Sequence, residues 1–119
     1  MFFSNALNFL NGKNRRKFAN NTYFEKIDAW TIGIKVYQTY IIRIYANETI
    51  ELDTGGWNTW LTRNRINRIL GRLGPQNKPR VFTTNGDLFL TEGRGTRVEF
   101  FDNMILNRDG NCVNYWERR

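Results

Sequence analysis

The sequence predicts an α+β fold: a small curved antiparallel sheet or partly open barrel of about eight short strands, with two helices. Three observations carry this. Segments rich in β-branched and aromatic residues recur between turn residues from position 20 onward. One stretch, 62–73, instead spaces its apolar residues as a helix does. The chain has 119 residues, 40% of them hydrophobic, which suits one domain with one core. Residues 1–119 therefore read as a single domain. It has a short N-terminal helix or arm at 1–12 and a β-rich core at 20–116 that includes the helix.

Each element has its own signal. Phe2, Phe3, Ala6, Leu7 and Leu10 share one face of a helix over 3–10, stopped by Gly12. That face suits a lid on a sheet; an interfacial membrane anchor and an arm ordered by a partner are the alternatives. Segments 22–29, 32–37 and 39–45 read as strands. Ile32, Ile34 and Val36 alternate with Gly33, Lys35 and Tyr37, whereas the apolar run in 39–45 implies burial on both faces or a twisted central strand. A turn at Ala46-Asn47-Glu48 leads to strand 49–53, which ends at Asp53-Thr54-Gly55-Gly56. In 62–73, Ile66, Ile69, Leu70 and Leu73 form the buried stripe, Thr62 caps the start, and Gly74-Pro75 end the helix. At ~100° per residue, Arg65, Arg68 and Arg72 lie together on one flank, with Arg63 elsewhere. Asn85-Gly86 within 80–91 is a type I′ hairpin signal. Turns at 92–95, Asp102-Asn103 and Asp109-Gly110 separate strands 96–101, 104–107 and 112–116.

The formal net charge is +7, but it is unevenly placed. Residues 11–17 carry Lys13, Arg15, Arg16 and Lys17. Residues 61–80 carry Arg63, Arg65, Arg68, Arg72, Lys78 and Arg80. These two windows hold ten of the 18 cations and none of the 11 acids, so the rest of the chain is mildly acidic. Such a split suits a polyanionic or acidic partner. The bland alternative is a solvated helix face, since arginine is a good helix former. Asn14, Asn64 and Asn67 add neutral donors within or beside the windows.

Other chemistries are thinly supported. There is no histidine, which removes imidazole bases, nucleophile triads and histidine metal sites. The one cysteine, Cys112, makes neither an internal disulfide nor a zinc cluster. The acids near one another are Glu48, Glu51 and Asp53, and a metal nuclease needs converging carboxylates. Asp53-Thr54-Gly55 is similar to the D-T-G of retroviral-type aspartic proteases, and Ile69-Leu70-Gly71-Arg72 to their I-I-G-R. The two lie too close together, with no glycine-rich flap between, so a strand-ending turn is the better reading. Gly93-Arg94-Gly95 reads as a hairpin turn rather than a phosphate loop. No catalytic residue, metal or cofactor is expected. No stretch approaches ~18 consecutive apolar residues, so no membrane partner is expected.

Three segments look familiar together. They are Lys17-Phe18-Ala19-Asn20-Asn21-Thr22-Tyr23, then Gly33-Ile34 through Tyr37-Gln38-Thr39 to Ile41-Ile42, then Asp53-Thr54-Gly55-Gly56-Trp57-Asn58-Thr59 with Thr62-Arg63-Asn64-Arg65-Ile66-Asn67. Over residues 13–70 the chain resembles small proteins of tailed bacteriophages, including phages of cyanobacteria and actinobacteria. Those carry A-N-N-T-Y, L-H-x-T-D-I and S-G-G-W-x-T-x-T-T-K-x-R-I-N in this order. Here Val36-Tyr37 stands for Leu-His, Thr39-Tyr40 for Thr-Asp, and Thr54 for Ser. The resemblance implies a phage or mobile-element origin and a single small domain. It supplies no mechanism.

The expectation is a non-enzymatic phage accessory protein in the host cytoplasm. It binds nucleic acid, single-stranded DNA or RNA in preference, through Lys13, Arg15, Arg16, Lys17, Arg65, Arg68 and Arg72. One good helix is too few for a helix-turn-helix reader. Trp57 and Trp60, between a glycine turn and the arginine helix, are candidate stacking platforms, with Trp57 as a core plug the competing reading. Tyr23, Trp30, Tyr37, Tyr40, Tyr45, Tyr115 and Trp116 are expected mostly in the core. Two other readings stand beside this one: an inhibitor docked on an acidic surface of a host defence protein or enzyme, and a virion component.

Overall fold

The computed structural model describes residues 1–118. In chain order these form α1 (Phe2–Leu10), β1 (Arg15–Ala19), β2 (Thr22–Asp28), β3 (Thr31–Val36), β4 (Thr39–Tyr45), β5 (Ile50–Leu52), α2 (Trp60–Leu73), β6 (Arg80–Thr84), β7 (Asp87–Thr91), β8 (Arg97–Glu99) and β9 (Met104–Leu106), followed by a 3-10 turn, Tyr115–Glu117. This is the expected α+β domain, with nine strands among the described residues. The strands make two antiparallel sheets, β1-β2-β3-β4-β5-β9 and β6-β7-β8. The outer strands of the large sheet, β1 and β9, do not meet, so it is open and not a barrel.

Period-two alternation builds the large sheet's buried face. Phe24, Ile34, Ile42, Leu52 and Met104 are cross-strand neighbours in one row; Ile32, Ile44, Ile50 and Leu106 make the next. All are buried. Phe2, Ala6 and Leu10 of α1 and Ile66, Ile69 and Leu70 of α2 cover them in one cluster. So α1 is a lid on the sheet, and its apolar face is not left for a membrane. Its first turn is capped by a distant acid: the Phe2 N–H donates to Glu48 Oε2 at 2.8 Å, where a carboxylate meets the helix's positive end. The C-terminal stop is one residue earlier than expected, with Asn11 in the left-handed conformation.

Bulges bend the sheet. Register shifts leave Phe18 of β1, Ile27 of β2 and Ile41 of β4 as extra residues. The bulge in β4 explains its apolar run, because Ile41 and Ile42 are both buried beside one kink. The other face is polar, with Glu25, Arg43 and Glu51 in one cross-strand row. Gly33 occupies that row because the Tyr40 ring lies where its Cβ would stand, 2.6 Å from Cδ1.

α2 starts earlier than the Thr62 cap predicted. Thr59 is the N-cap, and its Oγ1 accepts the Thr62 N–H at 3.2 Å. Gly74 ends the helix as expected, its N–H bonded to Leu70 O. Asn67 clamps α2 to β6: Val81 N–H donates to its Oδ1 at 2.8 Å, and its Nδ2 donates to Val81 O at 2.9 Å. The hairpin β6–β7 turns at Asn85 (φ 52°) and Gly86 (φ 85°), the positive pair a type I′ turn requires.

Two expectations on strands need correction. The basic run 13–17 precedes the β-rich core expected at 20–116, yet the sheet begins within it, with Arg15–Ala19 as the edge strand. Residues 112–116 form no strand. Cys112 makes a single bridge to Leu106, and then Asn114 takes over the edge of β9: its Oδ1 accepts Ile105 N–H at 2.8 Å and its Nδ2 donates to Asn103 O at 2.9 Å. The Val113 N–H still donates to Ile105 O at 2.9 Å, so the edge of β9 is satisfied partly by backbone and partly by this side chain.

Candidate nucleic-acid interface

The two basic windows meet, through aromatic rings. Phe9 on α1, Phe18 at the β1 bulge and Phe24 on β2 form one cluster, with centroids 4.5–5.6 Å apart. Arginines from both windows lie over it. The Arg16 guanidinium sits 4.6 Å from the Phe9 centroid and donates to Phe9 O at 2.6 Å. Arg68 is 5.2 Å from Phe18. Arg72 is 5.5 Å from Phe18 and 5.9 Å from Phe9. Cation–π contact holds the three exposed cations side by side on half-buried rings, and among the described residues no acid pairs with any of them.

Beside this ridge, between α2 and β6, runs an open groove of about 420 Å³. Trp60, Arg63, Arg68, Lys78 and Arg80 line it, again with no acid. Arg68 belongs to both ridge and groove. Arg63, Lys78 and Arg80 belong to the second window but not to the site the sequence predicts. A helical projection placed Arg63 off the ridge, and nothing in the sequence showed that the linker after α2 returns along the helix. Arg63 is held by Asn58, whose Oδ1 accepts its Nη1 at 2.8 Å.

The other predicted site residues divide. Arg65 is buried. Its Nε donates to Thr22 Oγ1 at 2.8 Å, and its Nη1 to Asn64 Oδ1 at 2.7 Å. Burial, with Arg68 nearby, lowers its pKa from the ordinary arginine value. It is a tie between α2 and the β1–β2 turn rather than a surface contact. Arg15 points to the opposite face of β1, where its Nε meets Glu25 Oε2 at 3.0 Å and its guanidinium covers Tyr23 at 3.9 Å. Lys17 shares that face by alternation. Lys13 lies exposed in the turn after α1. Of the first window, Arg16 alone joins the ridge. Asn67 is spent on Val81 and is not the free donor expected; Asn64 accepts from Arg65 on its Oδ1 and lines the groove.

Trp57 (65% exposed) and Trp60 (68%) are both at the surface, which removes the core-plug reading of Trp57. Trp30, Tyr37 and Trp116 are exposed too, against expectation. The core fills with isoleucine and leucine instead.

The acids do not converge as a metal site; among the described residues no group of three ligating side chains forms. Glu48 caps α1. Glu51 accepts from Asn103 Nδ2 at 2.8 Å and from the Tyr45 hydroxyl, whose pKa burial and this bond push up to about 12. Burial raises the Asp53 carboxyl, opposed by the Gly55 N–H that it accepts at 2.6 Å. On the polar face, Glu25 accepts from the Tyr40 hydroxyl at 2.5 Å, and that bond leads the effects that hold its carboxyl below the ordinary value. Arg94 pairs with buried Glu92 at 2.9 Å, so the Gly93-Arg94-Gly95 turn is structural.

No helix among the described residues is long and apolar enough to cross a membrane. No curated protein and no solved structure matches the chain. The family model for the Kyanoviridae Gp96 protein matches residues 3–107. Nearly the whole fold lies inside that span, and the chain belongs to this family of phage proteins.

Proposed function

We propose that this phage protein is a non-enzymatic binder of single-stranded nucleic acid in the host cytoplasm. One observation supports it above the rest: Arg16 of one acid-free window and Arg68 and Arg72 of the other converge over Phe9 and Phe18. Three cations side by side suit successive phosphates, and the adjoining groove adds Arg63, Lys78 and Arg80. Trp60, exposed at that groove, offers a ring for a base. The contacts carry no sequence information, so binding is of low specificity.

Fluorescence polarisation with labelled single-stranded DNA and RNA, from low to high salt, tests the reading. Affinity should fall linearly in log–log form, by about 0.7 per phosphate neutralised on a single strand. Absence of binding at low salt contradicts it. A protein partner is the second reading, favoured by arginines and exposed tryptophans together on one face, a composition common at interface centres. One stoichiometric partner captured from nuclease-treated host lysate, by a protein that ignores oligonucleotides, would favour it.

A further inference from the structure

We propose that a cavity beside the first turn of α2 receives one unstacked base of the bound strand; this rests on the nucleic-acid reading above. The cavity measures about 430 Å³ and lies between the β3–β4 turn, the β5–α2 loop and the start of α2. Val36, Ile41 and Leu61 give it apolar surface, Gln38 a hydrogen-bonding amide, and Tyr37 and Trp57 two exposed rings. Its lining has no charged side chain. The volume falls within the range of about 300–1,000 Å³ for small-molecule pockets, ample for one purine or pyrimidine.

The cavity is built into the fold. Gly55 has φ +62°, and a Cβ there would collide with the Thr39 side chain, so the β5–α2 loop can lie directly on the β3–β4 turn. Thr54 fixes that loop: its N–H and Oγ1 donate to Asp102 Oδ1 at 2.8 and 2.9 Å. Tyr37 has φ 53°, a costly conformation for a bulky residue. Asn21 holds it there, accepting the Tyr37 N–H on its backbone oxygen at 2.9 Å and donating its Nδ2 to the hydroxyl at 3.0 Å. Two of the three segments that carry the phage resemblance, around 36–41 and 54–62, form these walls.

The neighbourhood selects the ligand. Thr59, Leu61 and Thr62 line the cavity, while Trp60, Arg63 and Asn64 line the basic groove. Both sites thus flank the same helical turn, one neutral and ring-walled, the other cationic. A base needs an apolar slot with rings to stack on, and its phosphates need the cations alongside. A free apolar ligand would have no use for that adjacency.

The test compares two labelled probes of equal length and charge: a single-stranded oligodeoxynucleotide, and its abasic counterpart in which tetrahydrofuran sugars keep every phosphate. The base-bearing probe should bind at least ten-fold tighter, the order expected for stacking one base, with the same salt slope. Trp57→Ala and Tyr37→Gly should each shrink that difference and leave abasic binding unchanged. Trp57 is exposed, and glycine suits the backbone at 37, so both variants should fold; thermal melting by circular dichroism checks this. If both variants keep the full difference, or the probes bind wild type equally, the base pocket is wrong while the phosphate-binding face stands. If neither probe binds at low salt, both proposals fall together.

Discussion

Arginine in this chain does three different jobs, and sequence spacing alone does not separate them. Arg65, Arg68 and Arg72 share a helix flank, yet Arg65 is buried on Thr22 and Asn64 while the other two ride on phenylalanine rings. Arg65→Ala should therefore cost about 1–3 kcal/mol in urea denaturation, by orphaning buried polar groups, and leave the salt slope of oligonucleotide binding unchanged. A lost slope with intact stability would reverse that assignment. Arg15 does the third job, pairing with Glu25 beside Tyr40 and Lys35. The Glu25 carboxyl lies below its ordinary 4.5. The cluster's contribution to stability is thus complete above that pH and drains away as pH falls through the lowered value. Tyr40→Phe removes the leading cause, so a carboxyl-carbon NMR titration should show the Glu25 midpoint move up; an unmoved midpoint would mean the hydroxyl does not set it.

At the level of elements, strands with strict alternation were legible and those shaped by a single side chain were not. Ile32, Ile34 and Val36 announced β3, and Asn85-Gly86 announced its hairpin. β1 was hidden because three of its five residues are cationic, as edge strands often are. Cys112-Val113 has strand composition but pairs with β9 only briefly, because beyond Val113 the Asn114 amide takes over. A lone asparagine gives no sign of that role, and the same holds for Asn67. Asn67→Ala deletes both bonds to Val81. It should lower stability by about 1–3 kcal/mol and raise amide exchange at Val81 selectively. Unchanged protection at Val81 would show that β6 is held to α2 by apolar packing alone.

For the whole molecule, the uneven charge was plain in the sequence, but its convergence was not. The meeting of Arg16 with Arg68 and Arg72 depends on α1 folding back to place Phe9 beside Phe18, and on the β1 bulge that presents Phe18. Neither long-range relation has a local signature. The aromatics misled in the other direction: a wide open sheet packed with isoleucine leaves its tryptophans outside, where a closed barrel would have needed them within. The result is one face with ridge and groove joined at Arg68, on a phage-family fold. Its claim to be a phosphate-binding surface is tested most directly by charge reversal with a matched control. One variant carries Arg16→Glu, Arg68→Glu and Arg72→Glu; the other carries Arg97→Glu, Arg108→Glu and Arg118→Glu, which alter net charge equally but lie off the ridge and groove. Salt titrations with single-stranded DNA should show the first variant losing at least 2 phosphate contacts' worth of slope, about 1.4 in log–log units, and the second keeping the wild-type slope. Equal losses in both variants would mean that only net charge attracts the strand, and would contradict the assignment of the site.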